Sequence, residues 1–305
     1  MAKTVRDTIK EITRKHLSED LGKCYGQCLT AVGWVGGTLP EMYEEDGMVE
    51  FSMADVAGGA IATGIALAGG RPLYVVRYQG FQWYNLASVV NYAAKSKEIW
   101  NRPCPIFVRS IAMEGGVGPV AGSSHHSMAQ RMPGIKVLSP MTPKEYQLAY
   151  DSYMEDDDPY YISEHRKSYD NNKELQDQEC FLNNADFSIF PISITRLEMD
   201  KLKLLADQEN ISLNIYHQLW LRPFNIKEHW IEGLKTSKYG GLVTDDDHVE
   251  GTASSIANEL SVASGKVVRT LGLKPKTAGF HPTVDNLPPT AEEIIKYLKN
   301  IKYGI

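Results

Sequence analysis

Three stretches of this 305-residue chain place reactive or ligand-holding side chains beside glycine. Residues 26–37 include Gln27, next to Gly26. The turn at 77–84 carries Phe81, Trp83 and Tyr84. Residues 114–127 end in His125-His126-Ser127. A fourth group, Asp55, stands at the head of a run of small residues, with Met53 just before it. A carboxylate and two imidazoles are the groups of proton-transfer chemistry. Each has an ordinary alternative. Asp55 pairs with Ser52 in a capping-box spacing, the aromatics fit a core, and the histidines fit a loop surface. Neither GxGxxG nor GxxxxGK[ST] is present, so the glycine stretches match no common phosphate loop.

Such residues need a scaffold that gathers loops. Val5, Ile9, Ile12 and Leu17 predict an amphipathic helix over 4–17. Residues 24–47 hold too many glycines for regular structure and are expected to be a strand end and a long loop. Residues 52–67 read as a helix that keeps Gly58, Gly59 and Gly64. Each glycine costs about 1 kcal/mol relative to alanine there, so the helix is expected to approach another helix closely, at a domain or subunit interface. Strands are expected at 73–78, 105–110, 135–139 and 160–163, with helices at 83–99 and after the Thr142-Pro143-x-Glu145 cap. Residues 167–185 read as a polar linker. Beyond them, FSIFPIS, SLNIY, GGLVT and VVRTL alternate with helices near 197–208, 226–235, 252–263 and 290–300. The alternation argues an α/β protein with two parallel-sheet domains, 1–166 and 186–305. In such sheets ligands bind at the carboxyl ends of the strands.

Composition narrows the function. The chain is 43% hydrophobic and 23% charged, with net charge −6, which excludes a disordered or collagen-like protein and gives no basic face for nucleic acid. The acidic runs at 155–158 and 245–247 read as solvated loops. Cys24, Cys28, Cys104 and Cys180 form no CxxC, which argues against a metal site or a disulfide framework. The start lacks the apolar stretch of a signal peptide and no run is long enough to span a membrane, so a cytoplasmic protein is expected.

The segment RPLYVVRYQGFQWYNLASVVNYAAK (71–95) resembles thiamine-diphosphate enzymes, in particular the beta subunit of the first component of 2-oxo acid dehydrogenase complexes. TVRDTIKEI, YGQCLTAVGWVGGTLPEM, DVAGGAIATGIALAGGRP, MPGIKVLSPMTPKE and DPYYISEHR resemble successive parts of that subunit. LRPFN and GLVTDDD resemble its C-terminal, transketolase-like domain. The resemblance implies a transketolase-like pyrimidine-binding domain followed by a transketolase C-terminal-like domain. It also implies half of a shared active site in an α2β2-type assembly. The pyrimidine of thiamine diphosphate would lie on this chain, with its diphosphate and Mg2+ held mainly by an alpha-type chain through a GDG motif absent here. Self-association would run through the small-residue helix 52–67.

The resemblance assigns roles residue by residue. The family's glutamate falls at Asp55, one methylene shorter. A carboxylate at ring nitrogen N1' favours the imino tautomer that takes the C2 proton, and the cofactor then serves as an electron sink. Phe81 aligns with a ring-stacking phenylalanine, Tyr84 with a pocket tyrosine and Met53 with an aliphatic neighbour of the cofactor. Gln27 falls where many relatives carry glutamate. His126-Ser127 matches a His-Ser pair facing the substrate, and His126, with His125, would stabilise a developing alkoxide or donate a proton. The chain itself is expected to supply no metal ligand, although Asp156 or Asp158 aligns near a monovalent-cation site of some relatives. Three functions follow: decarboxylation of a 2-oxo acid with transfer of the acyl or aldehyde fragment; a split transketolase moving a two-carbon ketol unit; or a non-catalytic assembly subunit.

Overall fold

Short apolar runs bounded by glycine or proline become parallel strands. The computed structural model describes residues 2–19, 22–31, 33–113, 123–175, 181–277 and 283–304. Its strands are β1 (Cys24–Gln27), β2 (Met48–Phe51), β3 (Leu73–Val76), β4 (Phe107–Ala112), β5 (Lys136–Leu138), β6 (Tyr160–His165), β7 (Phe187–Pro191), β8 (Leu213–Ile215), β9 (Trp220–Arg222), β10 (Gly241–His248) and β11 (Val268–Leu273). The first sheet runs β2-β1-β3-β4-β6-β5-β9 and the second β11-β10-β7-β8. All pairings are parallel except β5 with β9. Every residue of β3, β4 and β6 is buried, because helices cover both faces of a parallel sheet.

Several expectations need correction. The 24–47 loop leads into an edge strand, β2, paired with β1. Strand β9 follows the linker in sequence yet closes the first sheet against β5. The linker is partly anchored: Tyr169 is buried and donates its hydroxyl to Glu164 at 2.7 Å. The helix expected over 83–99 is broken into Gln82–Asn85, a π-helical turn at Val89–Ala93, and Ala94–Trp100. The cap at Thr142 forms as its spacing implies, and threonine caps also form at Thr4 and Thr290.

The small-residue helix, Asp55–Leu67, departs furthest. Asp55 is its first residue and Ala54 its N-cap, so the Ser52–Asp55 capping box does not form. Its glycines serve two purposes. A β-carbon on Gly59 would stand 1.9 Å from the Asn85 carbonyl oxygen, and one on Gly58 2.6 Å from the Tyr74 hydroxyl, so these two admit close neighbours within the chain. Gly64 has nothing within 4 Å and lies on the exposed side.

A buried ion pair holds the centre of the first sheet. Arg109 meets Glu164 through two hydrogen bonds, 2.7 and 2.9 Å, and Thr38, Tyr146 and Tyr169 complete the network. Removing one partner of such a pair strands the other in the interior, at about 3–5 kcal/mol. Glu164→Gln is therefore expected to lose about that much stability in urea unfolding; a loss near zero would show that the network relaxes around the arginine. Gly59→Ala is expected to cost about 1–3 kcal/mol by overpacking, because the obstacle is backbone rather than a flexible side chain.

Candidate active site

The site is assembled from the helix that starts at Asp55 and the turn that follows β3. Asn85, in the short helix Gln82–Asn85, joins them. Its amide donates to Asp55 Oδ1 at 3.0 Å and to the Phe81 carbonyl at 2.9 Å, and its oxygen accepts from the Tyr74 hydroxyl. Burial, and after it the charge of Asp55, push the Tyr74 hydroxyl up, so it stays a donor. Among the described residues Asp55 Oδ2 accepts no hydrogen bond. The ring of Phe81 is half-buried beside Tyr78, centroids 5.8 Å apart.

The other expected cofactor contacts differ in exposure. Met53 is 67% exposed and Tyr84 61%. Gln27 ends β1 opposite Phe51, and its buried Nε2 has no partner. Gln82 Oε1 is likewise buried and unpartnered.

The two histidines part company. Residues 114–122 of their loop lie outside the described residues, but 123–127 are held tightly. The His125 N–H donates to Gln79 Oε1 and its carbonyl accepts from Gln82 Nε2, both at 2.6 Å. The two glutamines flanking Phe81 thus fix the His125 backbone beside it. Burial pushes the His125 imidazole down; Asp247 works against this, while His248 and His126 add to it. His126 turns into the interior. Its Nδ1 meets Ser163 Oγ and its Nε2 meets Asp245, each at 3.1 Å. Burial disfavours its charge, yet Asp245, Asp247 and Asp246 carry it up to about 10. It is therefore an imidazolium with both N–H groups occupied, not a surface loop residue.

The run 245–247 is also corrected. It belongs to β10 and is buried, because His126, Ser124, Ser193 and the Ser127 amide supply its partners. Donor atoms of His126, Asp245 and Asp246 lie within 4.8 Å of one another. Hydrogen bonds within this network already occupy the His126 ring and the Asp245 carboxylate. Asp156 and Asp158, the weaker cation candidates, face the Lys136 ammonium instead. Cys24, Cys28 and Cys104 are free thiols, and Cys180 lies outside the described residues. A separate cavity of about 110 Å³ at the strand ends is lined by Arg77, Arg166, Val35, Tyr78 and Met113. Among the described residues no helix is long and apolar enough to cross a membrane.

Sequence reasoning missed Gln79, Gln82, Asn85 and the three aspartates. The first three carried one usable signal: three amide side chains within seven residues at the start of a helical segment.

Residues 17–171 match the model of the family described as transketolase, pyrimidine binding domain. The chain is 28% identical over 162 residues to the 2-oxoisovalerate dehydrogenase subunit beta of Bacillus subtilis (strain 168), covering 50% of this chain and 46% of that one. It thus spans about half the length of that relative. It is 29% identical over 239 residues to the pyruvate dehydrogenase E1 component subunit beta of the same organism, covering 73% of this chain and 72% of that one. A solved structure titled "Split gene transketolase, inactive beta4 tetramer" superposes with a TM-score of 0.75 at 12% identity, over 99% of this chain and 98% of that one, and shows the shared two-sheet fold. With a family match across half its length, in the stretch that carries Asp55 and Phe81, the chain belongs to the transketolase pyrimidine binding domain family.

Proposed function

We propose that this chain is the beta-type subunit of a thiamine-diphosphate enzyme that decarboxylates a 2-oxo acid and transfers the resulting fragment, in an active site shared with an alpha-type chain. The observation that carries the reading is the single Asn85 side chain that binds both Asp55 and the backbone of Phe81. The residues present fit an aminopyrimidine in kind. A carboxylate with one oxygen held and one free suits a ring N–H. A half-exposed phenyl face suits the ring plane, and the unpartnered Gln27 Nε2 is a buried donor in want of an acceptor. The bound cofactor supplies the electron sink for breaking or making a bond beside a carbonyl.

The chain's own residues bind, orient and protonate. Asn85 fixes the Asp55 carboxylate through Oδ1, and Oδ2 would be the oxygen left for the ring nitrogen of a bound aminopyrimidine. Phe81 sets the plane. Met53 and Tyr84 form a rim that a docked partner covers, excluding water. His125, kept neutral by burial, exchanges a proton with the substrate oxygen. The alpha-type chain holds the diphosphate and Mg2+. Relatives named as dehydrogenase beta subunits favour the 2-oxo acid reading. A split transketolase is the second reading, favoured by the fold match over nearly the whole chain. The shorter acid at position 55 favours the third, an assembly subunit.

Self-association is assigned to the outer side of helix Asp55–Leu67, where Val56, Ile61 and Leu67 are exposed around Gly64.

With the alpha-type partner present, Asp55→Ala is expected to lower kcat by about 10²-fold or more, the scale of a lost proton-transfer group, with assembly intact by sedimentation. Wild-type turnover in that variant would remove Asp55 from the mechanism, and failure of any assembly to bind thiamine diphosphate in calorimetry would leave the scaffold reading. Gly64→Leu is expected to keep or raise the stability of the separate chain, by about 1 kcal/mol from helix propensity, while shifting the sedimentation profile to smaller species. An unchanged profile would place the interface elsewhere.

A further inference from the structure

The loop that carries the two histidines is gripped from behind by the second sheet. Alternation along a strand sends neighbouring side chains to opposite faces, yet three consecutive carboxylates of β10 all reach this loop. An irregular register between Thr244 and His248 allows it. Asp245 Oδ1 also accepts from the amides of Asp246 and Asp247, at 2.8 and 3.4 Å, which folds the strand around that carboxylate. Asp246 then accepts from the hydroxyls of Ser124 and Ser193, at 2.7 and 2.8 Å, and Asp247 from the Ser127 amide at 3.0 Å. Gly251 lets the chain after β10 close on the same place, since a β-carbon there would stand 2.6 Å from Ser127 Cβ.

From Asp245 a continuous set of hydrogen bonds leads into the candidate site. His126 Nε2 lies 3.1 Å from each Asp245 oxygen. Its Nδ1 donates to Ser163 Oγ at 3.1 Å. That same oxygen accepts from Gln79 Nε2 at 2.9 Å, and Gln79 Oε1 accepts from the His125 amide at 2.6 Å. Gln79 opens the turn Gln79–Phe81, so both His125 and Phe81 hang from this relay.

We propose that Asp245 is a positioning residue for the active site: through His126, Ser163 and Gln79 it fixes the His125 backbone and the Phe81 turn, so that the second sheet sets the geometry of the pyrimidine-binding region.

The electrostatics agree with the geometry. The groups acting on His126 are Asp245, Asp246 and Asp247 from β10, with His125 beside it; His165 of β6 stands 3.9 Å from Asp246, Tyr161 of β6 lies near Asp246 and Asp247, and His248 acts on His125. Burial pushes His165 down to about 4 and raises the Tyr161 hydroxyl, so both are neutral. Burial pushes Asp246 up to about 7, against the pull of His126. His126 is the cation of the cluster, and Asp245 is the carboxylate in direct contact with it.

The inference rests on the proposed function only in giving His125 and Phe81 something to hold; the relay belongs to the chain itself. It is tested by ¹⁵N NMR of the histidine rings between pH 5 and 9, in the wild-type chain and in Asp245→Asn and Asp245→Glu. The wild-type His126 ring is expected to stay doubly protonated through pH 8. Asp245→Asn is expected to bring its titration down by more than one pH unit and shift the Gln79 and His125 amides, and Asp245→Glu to restore the charge. In the assembled enzyme Asp245→Asn is expected to lower kcat by about 10²-fold, the scale of a 1 Å misplacement, and to move the pH profile. A wild-type His126 that titrates near 6.5, ring signals unmoved by Asp245→Asn, or a stoichiometric metal ion in the purified protein would each overturn the proposal. The wild-type titration decides even if Asp245→Asn fails to fold. A chain that binds no thiamine diphosphate yet shows the Asp245-dependent imidazolium would refute the proposed function and leave this relay standing.

Discussion

The absence of a side chain at Gly59 is what lets the site exist. The Asn85 carbonyl lies where a β-carbon would be, 1.9 Å away, so the helix bearing Asp55 and the helix bearing Asn85 touch backbone to backbone. Only at that separation does one short amide reach the Asp55 carboxylate, the Phe81 carbonyl and the Tyr74 hydroxyl together. A helical glycine forfeits about 1 kcal/mol of propensity. Here it is offset by packing and by three satisfied polar groups, and the same contact determines where an acid and an aromatic face sit relative to one another.

Two buried charge networks frame this contact and do different work. Arg109 and Glu164 pair within the first sheet, between adjacent strands β4 and β6, and bind Tyr146, Tyr169 and Thr38 around them. The His126–Asp245 pair joins the two sheets. Buried pairs add little net stability against an apolar core, but breaking one is costly, so their effect is to reject alternative arrangements. The first network fixes strand against strand inside the sheet. The second fixes the histidine loop against a strand from the other half of the chain, and that is the arrangement on which a site built from loops depends.

The scaffold was largely legible in the residues. Strands β3, β4 and β6 are apolar runs because both faces are covered, and the threonine caps at 142 and 290 follow from local hydrogen-bond geometry that needs no tertiary partner. What failed depended on distant partners. Ser52 and Asp55 have capping-box spacing, but the helix begins at Asp55, which bonds Asn85 instead. Strand β2 is a four-residue edge with a glutamate in it, and β9 is specified by β5 rather than by its own pattern. Asp245, Asp246 and Asp247 have the composition of a solvated turn; the imidazolium, the Ser124 and Ser193 hydroxyls and the Ser127 amide make their burial tolerable. Asp55 and Phe81 were reached through family resemblance, whereas Asn85, Gln79 and Gln82 carry no charge and no periodic signature, and only their clustering within seven residues marks them.

The exposed residues around the site bear on how the chemistry would be controlled. Met53, Val56, Trp83 and Tyr84, close in sequence to Asp55 and Phe81, are all exposed. Apolar surface gathered around a polar site marks a face that another surface covers. Water at an uncovered cleft would screen the Asp55 carboxylate and compete for its free oxygen, since a charge acts more weakly in a high dielectric. On the proposed reading, then, docking of the partner does more than complete a list of ligands. It lowers the dielectric around a carboxylate that Asn85 has already oriented, so the separate chain holds its acid in place while the assembly makes that acid effective.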